Sequence, residues 1–155
     1  TRELLVRYIL CNKYLWLFAA ANFFVYIARY AMLDNAAFRV LRRKTPGPFT
    51  FVLPATRLVP ELALRRQKTV GIRLPDSPVA LAIVRRLEHP VVSTSAAAPE
   101  GEVLIDARDV RDRLGHGLEL VLDGGYQPDE PSSVVDLTGP EPRVVRAGKG
   151  DVSDL

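Results

Sequence analysis

The sequence predicts an α/β domain with a mixed sheet and flanking helices, preceded by one long apolar helix. Three observations support this prediction. Short runs rich in β-branched and aromatic residues alternate with amphipathic segments of helical period. Capping residues, proline or glycine bound these runs. Hydrophobic residues make up 48% of the 155 positions, which is enough to bury a core of ordinary size.

Three short helices are predicted from their starts and stops. Each follows a residue whose side chain can accept the free N–H groups of a first helical turn. The predicted helices cover residues 36–43 after Asp34 or Asn35, 78–87 after Ser77, and 107–114 after Asp106. Proline or glycine lies just beyond each of them and stops the helix.

Six strands are predicted in the same part of the chain. They are short runs of β-branched, aromatic and other apolar residues bounded by turn residues. The predicted strands cover residues 49–53, 70–74, 91–93, 118–122, 133–137 and 143–146. Residues 147–155 follow the last strand and are predicted to be a loosely held tail.

The charges are divided unevenly along the chain. Residues 34–90 carry eleven Lys and Arg against four Asp and Glu, whereas residues 91–155 carry six against thirteen. A basic half of this kind suits a partner that carries phosphate or is a nucleic acid, although two solvated faces would give the same count. One cysteine and two histidines exclude a disulfide framework and leave no cluster with metal-ligand spacing, so we expect no metal site.

The first 33 residues differ in character from the rest. The apolar run from Tyr14 to Ala28 contains about 15 residues, and a helix that continued to Leu33 would reach the length that crosses a bilayer. The alternative is a buried helix that packs against the domain. This segment is similar to the start of the second half of organophosphate:phosphate antiporters, which include the glycerol-3-phosphate transporter. That resemblance implies an appended or fused helix, with membrane contact through Leu15–Leu33.

Three later blocks carry a different resemblance. KTVGIRLP at 68–75, VVSTS at 91–95 and SSVVDL at 132–137 occur in the order found in the YrdC/YciO-like superfamily. The best known members of that superfamily make threonylcarbamoyl-adenylate from threonine, bicarbonate and ATP for tRNA modification. The resemblance covers about residues 30–155 and implies a twisted mixed sheet of the YrdC type. It divides the chain into an apolar helix at 1–33, a YrdC/YciO-like domain at 34–146 and a tail at 147–155.

The resemblance also implies a ligand site, and the chain departs from the family pattern at two places. ATP, with Mg²⁺ as part of the substrate complex, would bind together with threonine in one cavity. The residues that the resemblance places there are Thr50, Arg73, Ser93, Ser95, Ser132, Ser133 and Arg146. Ala97 replaces an asparagine that is usual in the synthases, which places the chain nearer to the YciO branch. The Lys-x-Arg motif of the family's first third is missing, so catalytic residues stay unassigned and the sequence predicts an incomplete, inactive domain.

Double-stranded RNA or tRNA is a further partner that the resemblance implies. The family presents a concave basic surface, and the candidates for it here are Arg42, Arg43, Arg65, Arg66 and Lys68. Three hypotheses therefore stand: a nucleotide- and RNA-binding domain, the same domain tethered to a membrane, and a fusion or truncation product without independent activity. A cytoplasmic location is expected, with membrane association under the second hypothesis.

Overall fold

The fold is a four-stranded mixed sheet with helices around it. The computed structural model describes residues 27, 29–63, 67–98, 101–125 and 130–155. In chain order the described elements are α1 Asn35–Lys44, β1 Phe49–Pro54, β2 Thr69–Ile72, α2 Pro78–Leu87, α3 Ala107–Leu114, β3 Ser133–Asp136 and β4 Arg143–Arg146. Short 3₁₀ turns occur at Glu61–Ala63 and Gly115–Gly117.

All three predicted helices form, because their signals are local. Asp34 Oδ1 accepts the N–H of Ala37 at 2.7 Å at the start of α1, and Asp106 Oδ1 accepts the N–H of Arg108 at 2.7 Å at the start of α3. Ser77 caps α2, which has proline in its first turn. Each cap satisfies a backbone donor that the helix itself leaves without a partner.

The sheet has the strand order β2-β1-β3-β4. β1 pairs antiparallel with β2 and parallel with β3, and β3 pairs antiparallel with β4. The predicted mixed sheet is therefore confirmed. The long connection from β2 to β3 contains α2 and α3.

The core lies between α1 and one face of the sheet. Phe51, Leu53 and Val135 are fully buried there, and Leu41 of α1 packs against them. The rings of Phe51 and Phe49 stack with centroids 5.9 Å apart. Because side chains alternate along a strand, the residues between these positions in β1 and β3 belong to the opposite face.

Two predicted strands are wrong. Residues 91–93 and 118–122 form no strand, and the large apolar side chains there are exposed, with Val92 at 65% and Leu120 at 72%. A strand needs a neighbour to take its backbone N–H and C=O groups, and the described part of the chain offers these two segments none. The strand predicted at 70–74 is shorter and begins one residue earlier, at Thr69.

The predicted apolar helix falls largely outside the described residues, which exclude 1–26 and 28. Among the residues that are described, no helix is both long and apolar enough to cross a membrane. Ile27 and Ala31 are buried in the core with α1 and β1. Ala31 is also paired with Ala55, just after β1. The packed core thus extends to the N-terminal side of the predicted boundary at residue 33.

The C-terminal segment 147–155 packs on the domain, so the prediction of a loosely held tail is wrong. Gly150 is buried, and Val152 and Leu155 contact the core. The Lys44 ammonium group at the end of α1 donates to the carbonyl oxygen of Asp151 at 2.9 Å and forms an ion pair with Asp154. The tail therefore joins the end of the sheet to the end of α1.

Candidate functional site

The sheet face opposite α1 carries a polar group at the start of β3. The hydroxyl groups of Thr50, on β1, and Ser132, just before β3, lie 2.8 Å apart and share a hydrogen bond. Thr50 is half-buried, whereas Ser132 is buried. The parallel pairing of β1 with β3 brings these two residues together across 82 positions of sequence.

Arg146 completes this group from the last residue of β4. Its guanidinium donates from Nε and Nη2 to the carbonyl oxygen of Ser132, at 3.2 and 2.8 Å. A guanidinium has five N–H groups, and these two bonds use one on Nε and one on Nη2. The two N–H groups of Nη1 and the second N–H of Nη2 take no part in them. Thr50, Ser132 and Arg146, hereafter the hydroxyl–guanidinium site, thus present two hydroxyl groups and an oriented cation on one face.

Ser133 lies on the other side of the same strand. It is fully buried, and its hydroxyl donates to the carbonyl oxygen of Gly150 at 2.6 Å. The Ser133 hydroxyl oxygen in turn accepts the backbone N–H of Gly148 at 2.9 Å. The structure therefore gives Ser133 two backbone partners in the tail and no place in the hydroxyl–guanidinium site.

The other three predicted ligand residues lie apart from this site. Arg73 follows β2, and Ser93 and Ser95 lie in the irregular segment after α2. All three are exposed, and no hydrogen bond within the described ranges joins them to Thr50, Ser132 or Arg146. Their assignment to the cavity stays a prediction.

Asp136, at the end of β3, is a polar residue of the same face that the sequence analysis did not single out. Its carboxylate accepts the hydroxyl and the backbone N–H of Thr138 at 2.7 and 2.9 Å, and it pairs with Arg143 at 2.9 Å. These hydrogen bonds, chiefly that of the Thr138 hydroxyl, lower the pKa of Asp136 below its ordinary value of 3.8. Asp136 therefore stays ionised at neutral pH. The Asp-x-Thr spacing favours such a local turn, and it is the sequence feature that could have identified Asp136.

The predicted RNA-binding residues differ in their surroundings. Arg42 and Lys68 are exposed and form no ion pair within the described part of the chain. Arg43 is exposed too, but its Nη2 lies 3.4 Å from the carbonyl oxygen of Asp154 in the tail. Arg65 and Arg66 lie outside the described residues. No group of His, Cys, Asp and Glu among the described residues could hold a metal ion.

The hydroxyl–guanidinium site is suited to an anionic, hydroxyl-bearing ligand. Guanidinium groups bind phosphate and carboxylate through paired N–H donors, and hydroxyl groups can serve as donor or acceptor. Among Thr50, Ser132 and Arg146 there is no ionisable nucleophile or base. The site can therefore orient an anionic ligand and offset its charge.

Comparison with known proteins assigns the family. Residues 17–148 match the family described as "Telomere recombination", which groups the Sua5, YciO and YrdC proteins. The chain belongs to the Sua5/YciO/YrdC family. The match begins at residue 17 and so includes much of the stretch that resembles an antiporter. The comparisons give that antiporter resemblance, and the membrane contact it implied, no support.

Several members of the family are close relatives. The chain is 41% identical to YciO of Escherichia coli over 128 residues, which are 81% of this chain and 62% of YciO. It is 29% identical to the threonylcarbamoyl-AMP synthase of Pyrococcus abyssi over 132 residues, 80% of this chain and 39% of the synthase. The chain therefore spans less than two thirds of the length of these relatives.

Solved structures agree with this assignment. The crystal structure of E. coli YciO superposes with a TM-score of 0.77 at 39% identity, over 84% of this chain and 64% of that one. The structure of P. abyssi Sua5 complexed with L-threonine superposes with a TM-score of 0.70 at 30% identity, over 77% and 36% respectively. The predicted relationship to YciO and to the threonylcarbamoyl-AMP synthases is confirmed.

Proposed function

We propose that this chain binds the triphosphate of ATP at the hydroxyl–guanidinium site. The single observation that carries the proposal is the Arg146 guanidinium, which two hydrogen bonds hold on the Ser132 carbonyl beside the Thr50–Ser132 hydroxyl pair. A cation held in one orientation loses little entropy when it binds phosphate. The remaining N–H groups of Arg146 contact phosphate oxygens, and the hydroxyl groups bind ribose or phosphate oxygens.

Magnesium would enter this site with the nucleotide. Mg²⁺ usually keeps several waters and is held through substrate phosphates and one or two carboxylates. Asp136 is ionised at the same sheet face, but Thr138 and Arg143 already occupy its oxygens. The chain's own contribution to the site is therefore hydroxyl and guanidinium donors.

Threonine is the second ligand that family membership suggests. A family member is known in complex with L-threonine. In this chain Arg73, Ser93 and Ser95 remain the candidates to bind its carboxylate and hydroxyl groups, because they are exposed.

The ATP proposal can be tested with the full chain by calorimetry. Arg146→Ala is expected to weaken ATP binding about 10- to 100-fold, because a hydrogen bond to a charged group contributes about 1.5–3 kcal/mol. Arg143→Ala is the matched control. Arg143 lies on the same strand, but its side chain is 77% exposed and paired with Asp136, so we expect less than about a twofold change. Equal losses in the two variants, or no binding by the unaltered chain, would refute the proposal.

The same protein should not complete the synthase reaction. Ala97 has no side-chain amide to position a ligand, and residues 1–155 contain no Lys-x-Arg motif whose cations could neutralise charge on ATP. With threonine, bicarbonate and ATP, pyrophosphate release is expected to stay at background. Release above background that Arg146→Ala abolishes would show that the chain is an active synthase.

Duplex RNA binding is a second candidate, favoured by the exposed cations Arg42 and Lys68. Neither is neutralised by an ion pair within the described residues, whereas Arg43 contacts the tail. Charge reversal of Arg42 and Lys68 together is expected to weaken duplex RNA binding at low salt more than reversal of Arg108 and Arg111, which lie on the acidic half. Fluorescence anisotropy across a salt series would measure this. Equal losses from the two pairs would mean that the chain has no defined RNA face.

A further inference from the structure

The segment that follows Arg146 wraps closely around the residues that form the hydroxyl–guanidinium site. The backbone N–H of Lys149 donates to the Pro131 carbonyl at 2.9 Å, directly before Ser132. Gly148 donates to the Ser133 hydroxyl, which in turn donates to the Gly150 carbonyl. Three hydrogen bonds thus tie this short turn to the backbone and side chains at the start of β3.

Two glycines make this close approach possible. A Cβ atom on Gly148 would lie 2.2 Å from the Pro131 carbonyl oxygen, which is backbone and cannot move aside without moving the site. A Cβ atom on Gly150 would lie 2.6 Å from the ring of Phe49. Only glycine fits at either position with the present backbone path.

The geometry defines a specific task for Ser133. Its hydroxyl is fully buried on the core side of β3, so it cannot touch a ligand on the opposite face. Both of its hydrogen bonds go to the turn that continues directly from Arg146. Ser133 therefore fixes where the chain leaves β4, one residue beyond the guanidinium whose donors reach the Ser132 carbonyl.

We propose that Ser133 and the turn 147–150, together called the C-terminal brace, are positioning elements that hold the Arg146 guanidinium on the Ser132 carbonyl. The consequence for ligand binding rests on the proposed ATP function, but the positioning itself does not. Without the brace, the last residue of β4 is free to shift and Arg146 becomes an ordinary exposed arginine. The lost orientation weakens contacts with phosphate and leaves contacts with the nucleoside unchanged.

The positioning can be tested without any ligand. In the full chain, the exchange rate of the Arg146 Nε–H proton measured by NMR reports the hydrogen bond to Ser132. Ser133→Ala and Gly148→Ala are each expected to raise this rate at least about tenfold, because both release the turn. Gly117→Ala is the matched control, since a Cβ atom there meets nothing within 4 Å. Unchanged exchange in both brace variants would overturn the proposal.

A paired substitution guards against variants that fail to fold. Gly150→Ala collides with a side chain, so combining it with Phe49→Leu is expected to restore slow exchange of the Arg146 proton. Combining Gly148→Ala with Phe49→Leu is not, because the obstacle there is the backbone of Pro131. Rescue of both or of neither would contradict the assigned geometry.

The ligand measurement separates this inference from the proposed function. Ser133→Ala is expected to weaken ATP binding about tenfold and to leave adenosine binding within about twofold, which a general loss of structure would not do. If the unaltered chain binds no ATP, the proposed function is wrong. The exchange rate of the Arg146 proton still tests whether the C-terminal brace positions Arg146. If ATP and adenosine binding fall equally, Ser133 is only a stabilising residue and the positioning role is wrong.

Discussion

Leu53→Ala is expected to lower the free energy of unfolding by about 2–5 kcal/mol. Leu53 lies on β1, the central strand that pairs with both β2 and β3, and its side chain is 0% exposed. It belongs to the cluster that also contains Leu41 and Phe51. Removing its three terminal carbon atoms takes away apolar burial and leaves a cavity that neighbouring strands cannot collapse to fill.

Chemical denaturation would measure this change, with Leu120→Ala as the matched control. Leu120 undergoes the same substitution but is 72% exposed, so its free energy of unfolding should change by less than about 0.5 kcal/mol. Similar losses in the two variants would mean that the region around Leu120 is part of a packed core. The core between α1 and β1 would then not be the main source of stability.

Truncation of the chain after Ala147 is expected to lower the free energy of unfolding by at least about 2 kcal/mol. The Ser133 hydroxyl would lose both of its partners, and a buried polar group without a partner costs about 1–3 kcal/mol. Val152 and Leu155 would also leave the core. A change below about 0.5 kcal/mol in urea unfolding would show that these contacts of the tail contribute little to stability.

Acid is expected to reduce the contribution of the tail to the free energy of unfolding. The hydrogen bond from the Lys44 ammonium group lowers the pKa of Asp154 below 3.8, and the backbone N–H of Ser153 lowers that of Asp151. A carboxyl group with a lowered folded pKa stabilises the fold above its unfolded pKa, and this contribution disappears as the pH falls through the folded value. The stability difference between full and truncated chains should therefore be constant from pH 5 to 7 and shrink below about pH 3.8. Asp154→Asn is expected to remove the part of this pH dependence that comes from the pair with Lys44 and to leave the part that comes from Asp151.

The same pairing affects how the basic surface is interpreted. Arg43 and Lys44 face acidic or carbonyl groups of the tail, whereas Arg42 does not within the described residues. From the sequence alone, Arg42 and Arg43 are equivalent candidates for RNA contacts, because neighbouring cations look alike in a charge count. The tail distinguishes them through contacts more than 100 positions away in sequence, which no local pattern reveals.

The residues of the candidate site could be predicted from the sequence only in part. The family motifs singled out Thr50, Ser132, Ser133 and Arg146. Three of them meet on one sheet face, and Ser133 does not, because successive residues of a strand point to opposite faces. The motif alone cannot say which of two adjacent serines lies on the sheet face of Thr50 and Arg146. The register with β1 decides it, since Ser133 pairs with buried Phe49.

The helices, the mixed α/β class and the family of this protein follow from its sequence alone. Helix caps and stops act within a few residues, and short motifs keep their order whatever surrounds them. Which strand-like segments form strands, and whether the tail packs on the domain, depends on tertiary contacts. Residues 118–122 resemble a strand in sequence but have no pairing partner among the residues that the structure describes. The tail is polar in sequence but fits the space beside Pro131 and Phe49 through its glycines. Strand pairing and close packing depend on groups distant in sequence, and their positions exist only once the chain has folded.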